Sequence, residues 1–492
     1  MFGNNITIPH LLIFFPLVAG LITFFIKKDS AVKSWSLLSA IITLAISAAG
    51  LYYREDAALS GLTYNYEWLR YLGASFSVSL DGLSRVLTFL TAFSFPVIFI
   101  ATYKNSYSNS NVFYGLMLLA QAGLMGVFVS TDALLFYFFW ELALVPVYFL
   151  CSRWGGEKRI AATFKFFIYT FTGSLLMLVG IIYVYLQTSP TPYSDHSFSI
   201  QAFHAVQLMP SQQNWLFWLF FIAFAIKMPI FPFHTWQPDT YEQSPAAVTM
   251  VLSGIMVKMG LFGVLRWVLP IFPDAVARFD NIVICLSIIG ILYASLIAMR
   301  QDDLKRLVAY SSIAHMGLMS AAIFTGKEIA YNGVMIQMFS HGINVIGLWI
   351  VIELIERQLG IRKISQLSGI AQKAPALTIM LVVIAFANIA LPLTNAFVGE
   401  FMMFSGLFQY NGWFAAAAIL SIIFAAVYML GMVQKVFYGE PNPVTAQMKD
   451  LGWNEKLILG VIVVAIFIAG VYPQPFFDIS RDVVAALVTK FK

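Results

Sequence analysis

An all-α polytopic membrane protein is the fold class expected of this chain, on three observations. Its 492 residues are 60% hydrophobic and only 11% charged, more apolar than a soluble core of this size would use. Apolar runs long enough to cross a bilayer recur at about fourteen places. Two of those runs are interrupted by prolines, at KMPIFPF (227–233) and ALPLTNAF (390–397), and charged residues stand inside several others.

In chain order, the first span, 7–26, has no basic stretch before it and no clear small-residue cleavage site, so it reads as a retained helix. Spans follow near 35–53, 78–102, 112–130, 133–151 and 161–187. The next, 215–235, holds Pro229 and Pro232. Each lacks a backbone donor and crowds the preceding turn, so this helix breaks just after Lys227. Span 246–268 carries Lys258, and spans 281–299, 304–324 and 331–355 bring in His315 and His341. The run 376–408 is too long for one simple span and contains Pro392, so it reads as one broken helix, with two short spans as the alternative. Spans 413–436 and 456–476 complete the set. Among the connections, 54–77, with Tyr64, Tyr66, Trp68 and Tyr71, suits the membrane surface. The polar stretch 188–214 reads as an ordered loop, and 478–492 has the spacing of an interfacial helix.

The two breaks fall in the seventh and twelfth spans. That fits two inverted five-helix repeats, each with a discontinuous helix near the membrane midplane. The organisation expected is helices 1–3 in 1–110, repeats in 111–270 and 271–437, and a last helix with its tail in 438–492. Lysines and arginines gather in alternate loops: Lys27, Lys28 and Lys33; Arg153, Lys158 and Arg159; Arg300, Lys305 and Arg306; Arg357, Arg362 and Lys363. The positive-inside rule then puts the N-terminus outside. A net charge of +5 is too small to suggest nucleic acid. Cys151 and Cys285 offer neither metal-ligand spacing nor a disulfide framework.

The residues that carry chemistry are the polar ones inside spans. A charged side chain at mid-membrane costs roughly 2.5–3.5 kcal/mol or more, and Lys227 and Lys258 lie too deep to reach the surface easily. Glu141, half way along its span, has no Lys or Arg within a turn on its own helix, so its charge depends on a lysine from another. It reads as a proton site or as a permanently paired structural glutamate. His315 and His341 lie among Ser311, Ser312, Gln337, Ser340 and Asn344. A proton relay fits, since imidazole donates at one nitrogen and accepts at the other; so do satisfied core histidines, and haem ligation has only the number of histidines behind it. Glu400 is a terminal exchange site or an interfacial glutamate. His234, at the end of span seven, and Lys165, close enough to the surface to snorkel, are secondary candidates. Asp81 and Arg85 have the spacing of a helical ion pair.

Five stretches carry a resemblance: KMPIFPFHTWQPD (227–239), VLSGIMVKMGLFGVLR (251–266), DLKRLVAYSSIAHMG (303–317), MFSHGINVIGL (338–348) and LPLTNAFVGEF (391–401). In residues and order they resemble the antiporter-like subunits of respiratory complex I, over most of the chain. Glu400, where sister subunits usually carry lysine, points to the M-type branch, and no long lateral C-terminal helix of the L type is expected. The resemblance implies fourteen helices, a central hydrophilic axis and proton translocation driven by quinone reduction elsewhere in the complex. It implies that Glu141 and Lys227 form the key ion pair, that Lys258 and His315 connect the two halves, that Glu400 is the final site, and that His341 belongs to the same path. FMN, iron–sulfur clusters and quinone would then sit in partner subunits. The partners would be other membrane-arm subunits, and the location a bacterial inner membrane. Two departures stand out: QPDTYEQSP (237–245) places Tyr241 where the family has histidine, and Leu393 replaces a glycine. Two other functions compete. One is a subunit of a multi-subunit cation/proton antiporter. The other is a stand-alone solute carrier, which charges spread over many helices disfavour.

Overall fold

The computed structural model describes residues 6–52 and 61–489; the expected features at 54–60 and 490–492 lie outside the described residues. The first six spans form α1 (Ile8–Thr23), α2 (Asp29–Tyr52), α3 (Gly82–Ala101), α4 (Ser110–Val129), α5 (Ala133–Trp154) and α6 (Arg159–Tyr185). A short α7 (Ile200–Ala205) lies in the following loop, and α8 (Pro210–Lys227) and α9 (Trp236–Gln243) flank the first break. Next comes one continuous helix of three α-helical stretches, α10 (Ala246–Val251), α11 (Lys258–Gly263) and α12 (Leu269–Ile271), joined through π-helical turns at Leu252–Met256 and Val264–Val268. Then follow α13 (Pro273–Ala298), α14 (Leu304–Ile323), α15 (Glu328–Leu359), a short α16 (Ile370–Lys373), the broken pair α17 (Pro375–Asn388) and α18 (Asn395–Tyr410), α19 (Gly412–Phe437), α20 (Trp453–Val471) and α21 (Gln474–Thr489).

Among the described residues, ten helices are long and apolar enough to cross a membrane. The other four expected spans fall on α1, which has 16 residues, on α8, cut short at Lys227, on α14, diluted by His315 and several serines, and on the broken α17 and α18. The continuous helix 246–271 is buried throughout and α15 nearly so, whereas α2, α19 and α20 keep most of their surface on the outside. The centre of the bundle is therefore the helix that bears Lys258 and the helix that bears His341.

The first break works as the prolines require, and its freed carbonyls find protein partners. Pro229 has no N–H for the Ala225 carbonyl, which takes Ile230 N at 3.1 Å instead. The Ile226 carbonyl, losing that donor, accepts the indole N–H of Trp236 at 3.0 Å. At the second break, α17 stops at Asn388 and the chain turns through Ala390 and Leu393, at φ +56° and +75°. Leu393 thus holds a left-handed conformation that favours glycine, which strains the turn.

Three expectations drawn from the sequence change against the structure. The connection 54–77, expected at the membrane surface, forms from residue 63 on an antiparallel β-hairpin, β1 (Thr63–Leu69) with β2 (Ala74–Ser79), turning at Gly73, φ +63°, and its second strand takes in the first two residues of the span expected at 78–102. The alternation of Tyr64, Tyr66 and Trp68 before a glycine was the available signal. The amphipathic α21 has protein against part of its apolar face: Ser480, Val484 and Leu487 are buried, and the helix packs on α3 and α15. Asp81 pairs with Arg266 rather than Arg85, because as N-cap of α3 it turns toward Ser84 N, where the Arg266 guanidinium reaches both of its oxygens.

The hairpin is tied down by Asp132, the buried N-cap of α5, whose carboxylate accepts Ser75 N at 2.9 Å, Leu134 N at 3.0 Å and Leu135 N at 3.1 Å. Burial pushes this carboxyl from 3.8 up to about 6, outweighing the three hydrogen bonds, which pull it down. A folded state that holds the proton more tightly loses stability as pH rises through that window, about pH 4 to 6. Asp132→Ala is expected to quicken hydrogen exchange at Ser75, Leu134 and Leu135, at a cost of about 1–3 kcal/mol, and to flatten the pH dependence of the hairpin's protease resistance.

Candidate functional site

Lys258 owes its place to a π-helical turn. Val257 N bonds to the Leu252 carbonyl, five residues back, at 3.2 Å, which takes from the Ser253 carbonyl its α-helical donor. The Lys258 ammonium donates to that carbonyl at 3.0 Å and lies 2.7 Å from His341 Nδ1 on α15. Gly260, just beyond on the same helix, lets α8 come close: a Cβ there would lie 2.6 Å from the Phe224 carbonyl and 2.8 Å from Met228 N. The backbones that carry Lys227 and Lys258 thus touch.

From His341 the polar groups continue through α14 to α18. The rings of His341 and His315 have centroids 5.5 Å apart, and His315 Nδ1 lies 3.1 Å from Glu400 Oε1. Gln337 donates to the same oxygen at 3.3 Å. Gly399 makes the approach possible, since a Cβ there would fall 2.9 Å from the Gln337 Cβ. Around this line Asn344 and Asn395 exchange hydrogen bonds at 3.1 Å, and Ser311 accepts from Asn388 at 3.1 Å and Tyr428 at 3.0 Å. Asn388 and Asn395 flank the second break, so the interruption at Pro392 brings polar side chains inward. Lys258, His341, His315 and Glu400 are all buried.

Lys227 and Glu141 stand differently. Lys227 is buried at the end of α8, and Glu141 is half-buried on α5, beside the exposed Phe138 and Val145. Neither the Lys227 ammonium nor Glu141 Oε1 has a hydrogen-bond partner among the described residues, and the two form no ion pair. The ammonium instead lies 5.4 Å from the centroid of the Trp140 ring and 5.8 Å from that of Phe166. Gln237 and Tyr241, one turn apart on α9, are likewise buried, and among the described residues their side chains find no hydrogen-bond partner beyond each other.

The two secondary candidates lie apart from this line. His234 packs against the rings of Phe231 and Tyr293, at 5.8 and 5.2 Å. Lys165 is partly exposed and pairs with Asp239 at 2.7 Å. That pair opens a network which sequence reasoning missed. Arg306 bridges Asp239 and Glu242 at 3.1 and 2.9 Å, Arg362 joins Glu242, Asp303 and Glu356, and Lys305 meets Glu356 at 2.6 Å. It stitches α6 and α9 to α14 and α15. Its members lie in four separate stretches of sequence, so no local pattern marks them. Among the described residues no three His, Cys, Asp or Glu side chains are grouped as a metal site requires.

Residues 130–425 match the family described as NADH:quinone oxidoreductase/Mrp antiporter, TM. A curated relative, NADH-quinone oxidoreductase subunit M of Rickettsia prowazekii, is 35% identical over 99% of this chain and 100% of its own length. Another, F(420)H(2) dehydrogenase subunit M of Methanosarcina mazei, is 34% identical over 98% of each chain. Among solved structures, a chain of respiratory complex I from Thermus thermophilus superposes with a TM-score of 0.90 at 27% identity, covering 99% of this chain and 100% of that one.

Proposed function

This chain belongs to the antiporter-like membrane subunits of NADH:quinone oxidoreductases and Mrp antiporters, in the M-type branch, and on that premise we propose that it translocates protons along a buried path from Glu141 through Lys227, Lys258, His341 and His315 to Glu400. The observation that carries the reading is the continuous run of titratable side chains from Lys258 to Glu400, with hydrogen-bond contact at both ends and neighbouring imidazoles between. An imidazole takes a proton at one nitrogen and releases it at the other. Lys227 and Lys258 repel when both are charged, so a proton arriving at one favours release from the other. Closing or opening the Glu141–Lys227 pair changes that balance. Each unit of proton affinity is about 1.4 kcal/mol, and moving one charge against 100 mV takes about 2.3 kcal/mol. Rearranging one or two pairs is therefore enough to drive a proton across.

The energy comes, in this reading, from electron transfer between NADH and quinone in partner subunits, which hold the FMN, iron–sulfur clusters and quinone. The chain sits in a cytoplasmic membrane with its N-terminus outside, against neighbouring antiporter-like subunits. We assign the two repeats to 111–270 and 271–437. The F(420)H(2) relative is nearly as similar as the NADH-linked one, which favours a pumping unit indifferent to the electron donor. The second reading, a subunit of a cation/proton antiporter, draws on the Mrp half of the family description; Glu400 speaks for the first.

The test is Glu141→Gln in the assembled complex, following quinone reduction and proton uptake on one sample. Both are expected to fall together, by roughly five- to a hundredfold, the range of a coupling between two sites. Unchanged rates of both would remove Glu141 and Lys227 from the path.

A further inference from the structure

The Lys227 ammonium has a place to rest other than a carboxylate, and the sequence supplies it next door to that carboxylate. Trp140 and Glu141 are adjacent on α5, and neighbouring helical positions project about 100° apart. The indole therefore faces into the bundle, where it is buried, while Glu141 lies half-buried toward the α5 surface. The ring is held firmly: its centroid lies 5.6 Å from those of Phe136, on its own helix, and Phe224, on α8. The ammonium sits 5.4 Å from the indole centroid, with Phe166 of α6 on a second side at 5.8 Å. Within about 6 Å a cation is drawn to an aromatic face, most strongly to that of tryptophan, and more so away from water.

We infer that Trp140 is a positioning residue for the proposed proton path: its indole face receives the Lys227 ammonium whenever that side chain is parted from Glu141. Lysine's four-carbon stem then swings between two receptors carried on consecutive residues, one a full charge and the other a ring. The choice of tryptophan is itself informative. A tryptophan placed for hydrogen bonding would direct its N–H to an acceptor, and Trp140 Nε1 has none among the described residues. What remains to distinguish it from phenylalanine is the larger, more electron-rich face. That face lets the pair open without stranding the charge, and an open state that is reached easily is one through which protons pass quickly.

The inference rests on reading Glu141 and Lys227 as a working pair, and the experiment separates the two. Tryptophans with one, two and three ring fluorines are placed at position 140 of the intact complex. Fluorine drains the π face while leaving the ring's shape nearly unchanged. NADH:quinone turnover and proton uptake are measured beside the amount of assembled complex. The logarithm of turnover is expected to fall stepwise with fluorination, reaching a loss of roughly three- to tenfold with three fluorines, at constant assembly. Trp140→Phe should retain more turnover than Trp140→Leu. If the fluorinated complexes turn over alike, the ring only fills space and the inference fails, whatever Trp140→Leu does. If Glu141→Gln is slow while the fluorine series is flat, the inference alone fails. If Glu141→Gln runs at the normal rate, the working pair fails and the inference with it.

Discussion

Lys227→Met is expected to stop proton uptake and quinone reduction together, in a complex that assembles normally and survives heating at least as well as the unsubstituted one. The two halves of this expectation have separate causes. Methionine nearly matches the volume of the lysine stem but cannot carry a proton, so a path that needs this site loses roughly a hundredfold or more, the scale of a missing acid–base group. In the mechanism proposed above electron transfer and pumping are coupled, so the redox rate should fall with it. Stability moves the other way. The Lys227 ammonium is buried with no hydrogen-bond partner among the described residues, and two aromatic faces and the more distant charge of Glu141 are its compensation. Replacing an ill-compensated buried charge with an apolar group of similar size is neutral or stabilising, by about 1 kcal/mol or more. The check is a pair of measurements on one preparation: coupled activity, and the midpoint of heat inactivation or aggregation. A loss of both activity and heat resistance would mark Lys227 as structural. Full activity would take it off the path.

Lys258→Met is expected to abolish the same coupled activity, again by roughly a hundredfold or more, but at a structural cost that Lys227→Met escapes. The Lys258 ammonium donates to the Ser253 carbonyl and meets His341 Nδ1. Methionine leaves both groups buried and unpaired, which costs about 1–3 kcal/mol for each. The π-helical turn before it makes this worse, because the Ser253 carbonyl has already lost its α-helical donor to the Leu252 carbonyl. Lys258→Met should therefore lower the heat-inactivation midpoint where Lys227→Met holds or raises it. Lys258→Arg keeps a charge but offers a wide planar fork where a compact ammonium fits, so partial recovery of stability without recovery of turnover is the outcome to look for. Equal thermal behaviour of the two methionine variants would contradict the different surroundings of the two lysines.

Some of this could be read in the residues. The apolar runs located the helices because a bilayer core demands a fixed length of apolar helix, whatever its neighbours. Pro229 and Pro392 located the breaks because a missing N–H and a ring clash are local facts. Lys227, Lys258 and Glu141 declared themselves by being charged where charge is costly. The hairpin at 63–79 was missed even though its alternation was present, since three aromatic residues also suit a membrane surface. The packing of α21 on α3 and α15 could not be read from its sequence because an amphipathic helix has the same pattern whether lipid or protein covers its apolar face.

Sequence by itself determined the membrane character of this protein, its broken helices and the residue types able to hold protons, because each follows from short-range chemistry or from the cost of burying charge. Tertiary structure alone decided which of those residues meet. His341 meets Lys258 across 83 residues of chain, and Glu400 on α18 meets His315 on α14. It also decided that Lys165 joins Asp239 in a network at one end of the bundle, and that the Lys227 ammonium faces Trp140 rather than Glu141. Contacts of that kind depend on how helices cross and how closely their backbones approach, which no single helix encodes.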